Sequence, residues 1–126
     1  MALTAAQRVV RERSTALYTA TIKDENGDAL SYEDLDALTL TLYNLADGTI
    51  INSREDQDVL NANNVTVSAA GVLAWTMQPA DNPIVSATTA GWKEKHVALF
   101  EWTYSTTKKG SYEVTIEVES LEKVVA

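Results

Sequence analysis

The chain has no cysteine, one histidine (His96), one phenylalanine (Phe100) and two prolines among its 126 residues. Without thiols there are no disulfides, no cysteine nucleophile and no Cys-ligated zinc or iron–sulfur centre. Any nucleophilic triad would need His96 as its base, and no G-x-S-x-G elbow accompanies it. Apolar runs are short: no window approaches the roughly 20 residues of a membrane-spanning helix, and the opening "MALTAAQRVVRERS" lacks a signal-peptide core. A soluble protein made in a cytoplasm, with no membrane partner, is the expectation. Basic residues are also scarce. Ten Lys and Arg against 18 Asp and Glu give a formal charge of −8, which argues against nucleic acid as a partner. Only Arg8, Arg11 and Arg13 cluster against that sign.

The length suits one domain with one core. "TAAQ" from Thr4 reads as a capping box, so a helix of two or three turns is expected to end near Arg13. Its apolar residues Val9 and Val10 are adjacent rather than helically spaced, so this segment has little to bury on its own domain. Residues 1–14 therefore read as an arm, helical or extended, and 15–126 as the body.

The body is governed by a period of two. Ala16, Tyr18, Ala20 and Ile22 share one face of a first strand. "DENGD" at 24–28 is a turn in which Asn26-Gly27 suits positive φ, and Ser31 caps at most one helical turn with Asp34 three residues on. "LTLTLYNL" sends Leu38, Leu40 and Leu42 to one side, "ADG" turns, and "TIINS" returns as a hairpin. "REDQDVLNANN" is polar and reads equally as a short helix over Asp56–Leu60 or as loop. Val65 and Val67 mark a short strand, "SAAG" a turn, and Leu73, Trp75 and Met77 one face of another strand. Residues 79–91 are irregular and long enough to cross between sheets in a Greek key. About seven short antiparallel strands with little helix predict an all-β fold, an immunoglobulin-like β-sandwich.

The closing segment "HVALFEWTYSTTKKGSYEVTIEVE" poses a register problem. Ala98, Phe100, Trp102 and Tyr104 share a face with His96; Tyr112, Val114, Ile116 and Val118 share another. These faces coincide only if the loop holds an odd number of residues. A three-residue loop, Lys108-Lys109-Gly110, satisfies this with glycine in the left-handed position, making Gly110 the structural turn residue. That register sets Tyr104 opposite Val114, Trp102 opposite Ile116, and Glu101 opposite Glu117.

Chemistry-bearing patterns are sparse. "DENGD" superficially suggests calcium, but its glycine precedes Asp28 and position 12 is Leu35 rather than glutamate, so a turn is expected and no metal or cofactor is assigned. His96 reads as an ordinary strand-end residue. Trp75 and Trp102 share faces with core residues, whereas Trp92, in the long connection, is the tryptophan expected at an interface. No catalytic residue is assigned, and an enzyme is not expected.

The stretches "TATIKDENGDAL", "LTLTLYNLADGTIINS", "GVLAWTMQPAD" and the closing hairpin resemble small immunoglobulin-like structural proteins of tailed-bacteriophage virions, over roughly residues 15–121. The resemblance implies a non-enzymatic virion protein, foremost a capsid decoration subunit on the outer head surface. It also fits a head–tail junction or baseplate component. A carbohydrate-binding module using Trp92 is the expectation from a different class. Implied partners are other virion proteins, the major capsid protein foremost, and further copies of the chain. The arm then supplies the contact: Val9 and Val10 dock while Arg8, Arg11 and Arg13 meet acidic groups. On this reading deletion of residues 1–13 leaves the domain folded.

Overall fold

A computed structural model describes residues 6–85 and 93–119, and for Ala6, Gln7 and Arg8 only the backbone. The described residues form two β-sheets with two single turns of 3-10 helix, so the chain is all-β. Eight strands occur among them: β1 (Ala6–Arg11), β2 (Ala16–Thr21), β3 (Leu35–Asn44), β4 (Gln57–Asp58), β5 (Val65–Val67), β6 (Val72–Met77), β7 (Lys93–Tyr104) and β8 (Lys108–Glu119). One sheet has the order β1-β8-β7-β3-β4, the other β2-β6-β5. β6 and β7 belong to different sheets, as the length of the segment between them suggested, and residues 86–92 of that segment lie outside the described residues.

Alternation places the core. On the larger sheet the inward side chains line up in rows across β3, β7 and β8: Leu38–Trp102–Gly110, Leu40–Phe100–Tyr112, Leu42–Ala98–Val114 and Asn44–His96–Ile116. On the smaller sheet Tyr18–Trp75–Val65 and Ala20–Leu73–Val67 form the facing rows. The two layers meet where the Trp75 and Phe100 rings pack edge-on at 5.7 Å and the Tyr18 and Tyr112 rings stack at 6.5 Å. Burying these aromatic rings supplies much of the driving force that holds the layers together.

Turn chemistry follows the sequence. The Asp24 carboxylate accepts from the amides of Asn26 and Asp28, and Gly27 takes φ +84°. Ser31 and Asp34 complete a capping box around Tyr32–Asp34. The return of "TIINS" is weaker than expected, being a single bridge between Tyr43 and Ile50, with β4 supplying the rest of that edge.

Two expectations are corrected. Residues 6–11 are a strand rather than a helix, and β1 runs parallel to β8, Ala6 opposite Val114 through Arg11 opposite Glu119. Val10 is buried in the core of its own domain, so β1 and the body share one hydrophobic interior and the sheet is not purely antiparallel. Deleting residues 1–13 would strip an edge strand rather than trim a free arm.

The closing hairpin has the expected parity but a different offset. Its loop is Ser105-Thr106-Thr107, with Ser105 and Thr106 at φ 50° and 66°, and the Thr106 amide donates to Asp36. Trp102 lies opposite Gly110, not Ile116, and Tyr104 opposite Lys108, not Val114. The observed offset pairs all twelve residues of each strand and sets Lys93 and Lys95 opposite Glu119 and Glu117, where the expected one placed Glu101 against Glu117. Gly110 is thus a strand residue. A Cβ there would lie 2.4 Å from Nε1 of Trp102, so its missing side chain makes room for the indole.

Candidate functional site

The residues expected to bind a partner are divided by β1. Alternation turns Val9 outward, 53% exposed, and Val10 inward, 6% exposed. Arg11 is exposed opposite Glu119, and Arg13, at φ 59°, lies 3.7 Å from the Glu12 carboxylate. Arg8 pairs with Ile116 along the backbone, and its side chain lies outside the described residues, as does Trp92. Of the expected contact residues Val10 is therefore committed to the core of its own domain, while Val9, Arg11 and Arg13 remain exposed.

His96 is not a strand-end residue. It is fully buried in the row Asn44–His96–Ile116, and its Nε2 lies 2.7 Å from Oε1 of Glu94, which also accepts from the Val85 amide. Burial holds the imidazole below its ordinary pKa, against the raising effect of Glu94. Burial thus favours the neutral ring in this contact. The unfolded ring takes up a proton near pH 6.5 while the buried ring resists it, so the ring's contribution to stability is full above that pH and is lost below it.

A second buried group was missed in the sequence. Arg54 sits in the polar run after the first hairpin, yet it and Asp81 are almost fully buried and form a two-point pair, Nε to Oδ1 at 2.6 Å and an Nη to Oδ2 at 3.1 Å. The remaining guanidinium hydrogens go to Gln57, the Asn63 carbonyl and Asn64, so all five donors are used. Asp81 also accepts from Asn52 and from the Gln78 amide. Arg54 lies between β3 and β4 of the large sheet and Asp81 follows β6 of the small one, so the pair fastens one sheet to the other. Its saturation marks it as structural, because no donor remains for a ligand.

At the opposite edge an open cleft of about 290 Å³ lies between the Asp24–Asp28 turn and the start of β8, with Trp102, Tyr104 and Gly110 among its lining residues. Glu25 spans it, accepting from the Tyr104 hydroxyl at 2.8 Å and pairing with Lys108. The Lys108 ammonium first, and the Tyr104 hydroxyl second, hold the Glu25 carboxyl down to about 2. In the calcium-like turn Asp24 is thus engaged by turn amides and Glu25 by Tyr104 and Lys108, and of the acidic residues that follow, Asp34 accepts from the Ser31 amide and Asp36 from the Thr106 amide. Among the described residues no group of three or more metal-ligating side chains is assembled.

The outer faces of the sheets differ in kind. On β7 and β8 the outward positions include Lys93, Lys95, Glu101, Glu113, Glu117 and Glu119, and Lys93 reaches both Glu117 and Glu119 within 4 Å. On β2, β5 and β6 the outward positions are Leu17, Thr19 and Thr21, Thr66, and Val72, Ala74 and Thr76, without a single charge. The signal was in the sequence: the 22 residues from Val59 to Ala80 contain no Asp, Glu, Lys or Arg. Comparisons with protein-family models, with curated proteins and with solved structures give no match.

Proposed function

We propose that the chain is an immunoglobulin-like, non-enzymatic structural protein of a phage virion, and foremost a capsid decoration subunit on the outer head surface. The observation that carries the reading is the strand order. In the immunoglobulin arrangement strands G-F-C-C′ face strands B-E-D; here β8-β7-β3-β4 face β2-β6-β5. The first strand departs from the pattern of the seven-stranded form, joining β8 rather than the smaller sheet. This topology supports the sequence resemblance in its fold, and the virion role rests on the resemblance itself.

The buried charged and polar groups fit a scaffold better than a catalyst. Arg54 and Asp81 are saturated by each other and by their neighbours, Asp24 is tied to turn amides and Glu25 to Tyr104 and Lys108, and His96 is sealed from solvent. A decoration subunit needs a rigid body and a surface for its neighbours, which the two outer faces supply in different forms.

The test is the protein composition and image reconstruction of purified particles from the phage genome encoding the chain. A decoration subunit is expected at a fixed copy number per head, with density on the outer capsid surface. Density at the head–tail junction or baseplate would reject decoration in favour of those positions. Absence from particles would reject the virion role.

A further inference from the structure

We infer that the outer face of the three-stranded sheet is a self-association surface, on which a second copy of this chain docks about a two-fold axis. The inference deepens the virion reading by naming the face through which copies meet. It rests on charge, on hydrogen-bonding character and on the state of the sheet's β5 edge.

Two molecules of formal charge −8 repel, and a contact face that brings charges must pair each of them to avoid adding to that repulsion. The outward residues of β2, β5 and β6 add none. The nearest charges along β2 are Arg13 and Lys23, beyond its two ends.

A two-fold interface requires each surface to complement itself. On the axis itself each side chain meets its own copy, which a lysine or glutamate cannot do without bringing like charges together. A threonine hydroxyl can, since it both donates and accepts. The polar groups of this face are all threonines: Thr19, Thr21, Thr66 and Thr76. Between them lie Ala74 and the apolar Leu17 and Val72, 52% and 40% exposed. Small and β-branched side chains on a pleated sheet make a flat surface, and flat surfaces meet without a shaped partner.

Pairing through the β5 edge is closed off. The Val67 amide donates to Oδ1 of Asn61 and the Val65 amide to the Ala62 carbonyl, so these donors are already satisfied. Contact at this end of the sheet is left to the face. Two strands of six residues and one of three, about 4.8 Å apart, make an area on the order of 250 Å². A standard interface uses roughly 800 Å² from each partner, so the contact is weak and matters where copies are crowded together.

Sedimentation equilibrium on the isolated chain tests this, comparing wild type with Thr19→Glu and Thr66→Glu after thermal melting has verified that each folds. The wild type is expected to dimerise with a dissociation constant on the order of 0.1–1 mM, and either variant to weaken this at least tenfold. Raising salt should strengthen wild-type association, because it screens the repulsion of the bodies and no interfacial ion pair. A wild type that stays monomeric at millimolar concentration, a dimer indifferent to both substitutions, or association weakened by salt would overturn the inference. Because the measurement uses no particles, its failure leaves the virion reading to be decided by particle composition.

Discussion

The two sheets divide the work of the molecule unequally. The larger one contains two twelve-residue strands in unbroken register, a parallel edge strand and an outer face laced with opposite charges. The smaller one has three short strands and a bare, threonine-rich outer face; aromatic packing and one buried ion pair join it to its neighbour. The difference teaches that order and contact have been separated: the large sheet fixes the geometry, while the small sheet presents a surface with little charge to desolvate.

The sharpest way to break this arrangement is to cut the attachment. Asp81→Ala leaves the Arg54 guanidinium buried without its counter-charge and is expected to cost about 3–5 kcal/mol. Chemical denaturation measures it, and a loss below about 1 kcal/mol would mean the pair does not hold the sheets together. The next largest effect tests the register of the large sheet. Gly110→Val drives a side chain into the Trp102 indole and is expected to cost about 1–3 kcal/mol. Trp102→Leu in the same molecule should recover part of that loss, a coupling that a purely backbone effect would not produce.

Neighbouring valines test whether β1 belongs to the fold. Val10→Ala should cost about 1–2 kcal/mol through lost burial, whereas Val9→Ala, on the outward side, should stay within about 0.5 kcal/mol. Equal effects would contradict the strand assignment. The smallest effect is electrostatic. By carbon-detected NMR the Glu25 carboxyl should titrate near 2, and Lys108→Ala should move it back toward 4.5. Because its folded pKa is depressed, Glu25 contributes to stability above its unfolded value and loses that contribution as pH falls through about 2.

What could be read from the sequence follows from range. Alternation in Leu38, Leu40 and Leu42 or in Leu73, Trp75 and Met77 is local and determines which side faces the core, so the all-β class and most inward residues were legible. Parity in the final hairpin was legible for the same reason. Its offset was not, because two offsets of equal parity bury the same faces, and the fit of Trp102 over Gly110 is a tertiary fact. β1 was misread because "TAAQRVVR" satisfies local helix signals, while its partner lies 108 positions along the chain and runs parallel. Arg54 looked like loop because its counter-charge comes 27 residues later. The candidate surface was legible only as a missing quantity, the uncharged run from Val59 to Ala80, which becomes a face once β2 is laid beside it.

The division between a structural sheet and a contact sheet is tested most directly by following backbone amide shifts of the wild-type chain as its concentration is raised. The account predicts progressive shifts confined to β2, β5 and β6, centred on Thr19, Thr66 and Ala74, with the outer face of β7 and β8 unchanged. Shifts centred on β7 and β8, or none at any concentration, would contradict it.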